Sequence, residues 1–477
     1  MDESILTNNT QIYFVYDFKG PGGYIPFGYT RYTFPFVIQN KLEDIDDKNF
    51  VGYNSRIQVP YEFEKHRTAE FANYIVEHTK NTNFILTSDV VNRVDEKAIY
   101  FVTFESLNVN NMFEYYSYDG FNLKDFLSPN LLNLLKENEN FKILFIDSGE
   151  GAYPHTFELL EKINNFLETH DIQHENKVLI SSNNNFILDL KNNKKFIKYK
   201  NKINLYTNNF LLLTAGRFIG ELRARNNSLT ENDYKYSLQT ELLKNEKEKY
   251  FLMYNRNSDR LHRSYFVNKL YTNNLLEKGF VSFFENPYFE SFIETNNEYP
   301  NLNLTNDDIS DIRNNYKNYY PLFIDSTDSE IVAELHNFLS RKDEYEKSYF
   351  TIVSETNAES DYCFITEKTT KPISNLHPFV IVGNPHTLKI LKSYGFQTFD
   401  RWWDESYDNE FNFKKRTDMV LDVVRMLCNK SKSEWIQMLI EMESILYQNQ
   451  KLLHKLSTKQ IYQKEFFKAV FQEKQMI

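Results

Sequence analysis

The feature that most constrains this chain is an alternation. Short apolar or aromatic runs recur along it, separated by polar stretches with helical spacing, which is the pattern of layered α/β folds. The spacing predicts strands over Gln11–Phe18, Asn83–Thr87, Ala98–Phe104, Lys142–Asp147, Lys177–Ser181 and Leu211–Thr214. A second set follows at Tyr250–Tyr254, Phe280–Phe284, Tyr349–Ser354, Phe379–Val382 and Phe396–Phe399. Between the sets, Leu229–Lys249 is charged and lacks an apolar run, as a connector or exposed linking helix would. The expected organisation is α/β, with lobes at 1–235 and 236–440 and a helical tail at 441–477. Helical spacing begins at Arg416, with Met419, Val423, Val424 and Leu427, then Trp435, Met438, Leu439 and Met442.

Size and composition fit that organisation. At 477 residues the chain is about three times an average domain of ~150. With 13 glycines and 12 prolines it is neither collagen-like nor a Gly/Pro-rich disordered chain. A net charge of −11 opposes attraction of the whole surface to nucleic acid or anionic membrane, though a local basic cleft remains compatible with it. Two cysteines, Cys363 and Cys428, suit a reducing compartment better than a disulfide framework. Met1–Thr10 lacks the basic and apolar regions of a signal peptide, and no window has the ~18 apolar residues of a membrane span. The expectation is a cytoplasmic protein without integral membrane association.

Four segments could carry chemistry. In SETNAESDYCFITEKTTKPISNLHPFVIVGNP, Ser354–Pro385, an apolar strand runs into a polar loop, a helix starts near Thr366, and a second buried strand ends at Gly383. A helix start beyond the carboxyl end of a strand is an anion site, because free amides and the helix dipole point outward. Thr366 can cap, Glu367 can accept from ribose hydroxyls, Lys368 can neutralise a diphosphate, and Gly383 can admit a close ligand. The plainer reading is a well-capped surface helix start.

In YFLMYNRNSDRLHRSYFVNKL, Tyr250–Leu270, the residues Arg256, Arg260, His262 and Arg263 crowd a strand end and a helix start. Arginines there run against the helix dipole, so an anionic ligand is expected; pairing with Asp259 or linker glutamates is the structural alternative. In KILFIDSGEGAYPH, Lys142–His155, a strand delivers Glu150 between Gly149 and Gly151, placed to act as a base. A solvated turn is the commoner case, and Asp147, Asp89 and His155 are alternative bases. KGPGGYIPFGY, Lys19–Tyr29, carries Gly22, Gly23 and Tyr24, which with His155 are acceptor-side candidates; it matches no phosphate-loop fingerprint. The pair Asp44 and Asp46 sits in an acidic loop and reads as a solvated turn, not a metal site. Zinc-deaminase, zincin and hydrolase-elbow motifs are missing from the sequence.

The Ser354–Pro385 segment resembles the donor-binding motif of the α-1,3-fucosyltransferase family, in which an apolar strand ends in Glu-Asn and an aromatic, an aliphatic residue and Thr-Glu-Lys follow. Glu355, Phe364, Ile365, Thr366, Glu367, Lys368, Gly383 and Pro385 keep that order. Asn357 is not adjacent to Glu355, the loop is longer, and Phe364 stands where the family often has Tyr. The resemblance covers about a quarter of the chain. It implies a GT-B architecture, with two Rossmann-like lobes facing across a cleft, and an inverting, metal-independent glycosyl transfer.

In that scheme Glu150 is the base. Arg256, Arg260, Arg263 and Lys368 take the donor diphosphate, and Glu355, Asn357, Phe364, Thr366 and Glu367 position the donor. The implied donor is a nucleotide sugar, GDP-fucose before others, the acceptor is a glycan or other hydroxyl, and no cofactor or metal is expected. Two alternatives stand beside it: transfer to a modified nucleic-acid base, using a basic groove near Lys191–Lys202, and a noncatalytic glycan-binding or interaction protein on the same scaffold.

Overall fold

A computed structural model of the chain describes residues 10–16, 82–86, 90, 94–106, 129–147, 156–182, 198–199, 201–207, 247–255, 260–283, 302–322, 324, 342–358, 363 and 365–456. Gly22, Gly23, Tyr24, Glu150, His155, Arg256, Phe364 and the expected strand Leu211–Thr214 lie outside the described residues. The chain divides into two compact units, each holding one parallel sheet.

The first sheet contains β1 (Ile12–Tyr16), β2 (Thr82–Leu86), β3 (Ile99–Ser106), β4 (Phe141–Asp147), β5 (Val178–Ser182) and β6 (Ile203–Thr207). Their order is β2-β1-β3-β4-β5-β6 and every pairing is parallel. Ile12, Val15, Val102, Ile143, Leu144, Val178 and Ile203 have no exposed surface. Two helices bring apolar stripes at three- and four-residue spacing, Leu131, Leu134 and Leu135 on Pro129–Glu137, and Leu160, Ile163 and Leu167 on Thr156–Thr169. The strand β6 was not expected from the sequence. As an edge strand it pairs on one side only, and INLYT has no continuous apolar run to announce it.

The second sheet contains β7 (Lys249–Tyr254), β8 (Gly279–Ser282), β9 (Ser348–Ser354) and β10 (Phe379–Val382), in the order β10-β9-β7-β8, again all parallel. Every residue of β9 and β10 is buried, as expected of a parallel sheet covered on both faces. Residues Phe413–Leu427 and Lys432–Leu456 form the expected C-terminal helices. Trp435 stacks on Tyr349 and Phe350 of β9, with centroids 5.1 and 5.4 Å away, and its indole N–H donates to Leu427 O at 3.0 Å. That contact pins the long helix to the sheet. No helix among the described residues is long and apolar enough to cross a membrane.

The expected strand Phe396–Phe399 is not one. Its backbone is satisfied by side chains. The Asn449 amide accepts from Gln397 N–H and donates to Gln397 O, both at 2.8 Å, while the Glu405 carboxylate accepts from Phe399 N–H at 2.7 Å. Apolar residues at Phe396 and Phe399, both buried, gave the segment a strand-like pattern, but side chains from later in the chain took the ladder's place.

Candidate functional site

Both sheets reverse strand order about their first strand, and in the second sheet that point lies between β7 and β9. Ligands in open α/β sheets settle outside the carboxyl ends of the strands at such a point. The register pairs Leu252 with Thr351, so at the strand ends Asn255 comes level with Ser354. Both are 1% exposed. Neither atom of the Asn255 side-chain amide, nor the Ser354 hydroxyl, has a hydrogen-bond partner among the described residues. Leaving a buried polar group unsatisfied costs about 1–3 kcal/mol, and polar atoms from outside could satisfy these three at the adjacent strand ends.

The helix after β9, Glu367–Ser374, starts as the sequence predicts. Thr366 is its cap, the hydroxyl accepting from Lys368 N–H at 3.2 Å. Its anion is already present, however. Glu355 is 0% exposed, and its carboxylate accepts from Thr366 N–H at 3.3 Å, from the Thr366 hydroxyl at 2.6 Å and from the Thr369 hydroxyl. Burial raises the pKa of this carboxyl; Lys368 and the two hydroxyls oppose the rise. Glu355, expected to position phosphate, sugar or ribose, thus spends its carboxylate on its own helix. The helix after β10, Thr387–Ser393, is filled in the same way: Asp408 accepts from Leu388 and Lys389 N–H at 2.9 and 3.0 Å.

The helix after β7, Leu261–Thr272, differs. Its cap position is Arg260, with no side-chain cap, and its first turn holds no acid. Here the expected cations gather. Arg263, 5% exposed, donates to Glu355 O at 3.2 Å, and His262 Nε2–H donates to the same carbonyl at 3.0 Å. Burial first, then the charges of Arg263, Arg260 and Lys368, hold the imidazole well below its ordinary pKa, so His262 is neutral. The charges of three cations from two helix starts therefore all act on one neutral histidine. Lys368 also donates to the Thr356 hydroxyl at 3.1 Å and pairs with Glu367 at 2.7 Å, both side chains 20% exposed. Burial would raise Glu367, but Lys368 and Lys371 outweigh it and bring it to about 2. Asn357 is buried in the loop beyond Glu355.

Gly383 is needed for packing: a Cβ there would stand 3.2 Å from Ile381 Cγ2 and 3.4 Å from Glu355 Cβ and Cγ. Ile381 is the nearest neighbour and Glu355 the next, so both side chains pack beside this glycine. Arg416, which the sequence presents only as the start of a helical pattern, is 4% exposed and donates to Gly383 O at 3.0 Å, Glu410 O at 2.7 Å, Phe411 O at 3.2 Å and Ala358 O. It ties the loops after β9 and β10 to the segment before its own helix. Asn255, Ser354, Asp408 and Arg416 are the site residues that sequence reasoning missed. A strand end followed by an asparagine was the available signal for Asn255. The described residues contain no group of three or more His, Cys, Asp or Glu that could hold a metal ion. Of the basic stretch Lys191–Lys202, only residues 198, 199, 201 and 202 are described; Lys198 lies over the Tyr199 ring and pairs with Glu161.

No protein-family model matches the sequence. No curated protein matches it either. Among solved structures it is similar to a DNA-modifying β-glucosyltransferase, at 13% identity and a TM-score of 0.39 over 97% of this chain and 99% of that one. A T4 phage BGT mutant in complex with UDP-glucose gives 16% identity and 0.35, over 83% and 92%. The α,α-trehalose 6-phosphate synthase of Burkholderia multivorans gives 9% and 0.37, over 85% and 77%. These are loose overlaps at low identity, and no residue role passes from them to this chain.

Proposed function

We propose that this chain is a glycosyltransferase of GT-B type whose second unit holds a nucleotide-diphosphate sugar at the β7/β9 switch point. The observation that carries the reading is the pair of unsatisfied strand ends, Asn255 and Ser354, followed by helix starts that carry Arg260, Arg263 and Lys368. Neutral polar atoms suit a nucleoside or sugar, and the cations suit a diphosphate. Among the described residues the start of the Leu261–Thr272 helix has neither a first-turn acid nor a side-chain cap, which suits that diphosphate. The Thr-Glu-Lys resemblance supplies the reaction class.

In this mechanism Arg263 and Lys368 stabilise the charge that develops on the leaving diphosphate, so that electrostatic preorganisation does much of the work. Glu355 acts indirectly: its carboxylate fixes the start of the Thr366 helix while its carbonyl holds Arg263 and His262. Glu150 deprotonates the acceptor hydroxyl, and attack on the anomeric carbon from the opposite face inverts it as the diphosphate departs. GDP-fucose is the donor that the resemblance favours.

A thermal-shift panel of UDP- and GDP-sugars, with and without Mg²⁺, tests the donor reading, because stabilisation grows with ligand concentration over Kd. Stabilisation by a nucleotide sugar supports it, and a flat response to every nucleotide sinks it. Glycan and hydroxymethylated duplex acceptors, offered with the donor so found, separate transfer to a glycan from transfer to a modified base.

A further inference from the structure

One aromatic ring at the carboxyl edge of the second sheet has no part in the core. Phe411 is 57% exposed, the most exposed large apolar side chain described. Its main-chain carbonyl is held by the same Arg416 guanidinium that holds Gly383 O at the end of β10 and Ala358 O in the loop after β9. The Phe411 backbone is therefore held beside the two loops that leave the sheet next to Glu355. Its edge-on neighbour is His386, with ring centroids 5.3 Å apart at 85°.

His386 is itself unusual. It takes the left-handed backbone, φ 66°, which a non-glycine residue adopts at a cost. Its N–H donates to Asp408 O at 2.7 Å, which holds that conformation. Its Nδ1 is enclosed with no hydrogen-bond partner among the described residues. A solvent-facing aromatic ring edged by an imidazole is the chemistry that recognises a sugar: an apolar ring face for the C–H side and an imidazole beside it for a hydroxyl.

We propose that Phe411 and His386 form a sugar-recognition subsite, taking the pyranose of the nucleotide sugar, and this rests on the nucleotide-sugar reading above. A nucleobase on Phe411 is the competing occupant. The location favours the sugar, because the cations and the unsatisfied strand ends lie at β7 and β9 whereas Phe411 and His386 lie beyond β10.

Calorimetry on the full chain separates the possibilities, with UDP, GDP, UDP-glucose and GDP-fucose as probes. Phe411→Ala and the bulk-preserving Phe411→Leu are expected to weaken whichever nucleotide sugar the unaltered chain binds by roughly three- to tenfold, while its nucleoside diphosphate binds within twofold. His386→Asn, which tolerates the left-handed backbone, is expected to show the same selective loss. Equal losses for sugar nucleotide and diphosphate, or no loss for either, overturn the inference and leave the donor site standing. Failure of the unaltered chain to bind any of the four overturns the nucleotide-sugar reading and the inference with it.

Discussion

The Thr366 hydroxyl donates to the Glu355 carboxylate at 2.6 Å, joining the residue just beyond β9 to the helix that follows it. Because Thr366 N–H and the Thr369 hydroxyl converge on the same carboxylate, the helix start is complete before any ligand arrives. Replacing that acceptor with an amide, Glu355→Gln, leaves a single carbonyl oxygen for three donors and sets an NH₂ group against at least one of them, with no exposed surface to relieve it. The variant is expected to lose about 1–3 kcal/mol of stability in urea unfolding. Stability unchanged within error would show that the carboxylate does not anchor the helix.

Lys368 has two protein partners, Thr356 and Glu367, yet keeps a fifth of its side chain exposed. If it also meets a diphosphate, Lys368→Ala removes a charge-assisted contact worth about 1.5–3 kcal/mol, a loss of roughly tenfold or more in affinity for a nucleoside diphosphate. Lys371→Ala, one turn further along the same helix, is the control and should leave binding within twofold. Calorimetry decides; equal behaviour of the two variants would remove Lys368 from the donor site.

Gly279 opens β8 opposite Phe251 of β7. A Cβ at Gly279 would fall 2.1 Å from Phe251 Cε2, and Phe251 is wholly buried, so the ring has no free space to move into. Gly279→Ala is expected to destabilise the protein by about 1–3 kcal/mol through overpacking. Adding Phe251→Leu should restore part of the loss, and a double-mutant cycle in urea measures it. Additive losses would mean that the two positions do not clash.

Much of the fold was legible because parallel strands are short continuous apolar runs; YFLMY, FTIVS and FVIV announce β7, β9 and β10 within a residue or two. Thr366 was legible as a cap because capping is local, and Trp435, Met438, Leu439 and Met442 as a buried stripe because helical spacing is periodic. What the sequence hid depends on partners far along the chain. Nothing near Gln397 reveals that Asn449 completes its backbone bonds, and nothing near Arg416 reveals that its guanidinium gathers carbonyls from three segments. The same limit applies to Glu355, whose role as an internal anion depends on how the following loop returns it to Thr366.

Lys177 stands at the amino end of β5 with no exposed surface, its Nζ donating to Phe141 O at 2.7 Å and to Asn138 O. Burial, followed by the nearby charge of Lys142, lowers its pKa to about 7. In the unfolded chain a lysine keeps its proton up to about 10.4. Between these values the unfolded state binds more protons than the folded one, so this lysine makes stability rise with pH across that window. Below about 7 it is protonated in both states, and its contribution stays flat at its least favourable. Urea unfolding of the unaltered chain and of Lys177→Met between about pH 6.5 and about pH 10 should therefore show a stability difference that shifts toward the lysine as pH rises. A difference that stays constant across the range would mean that Lys177 keeps an ordinary pKa.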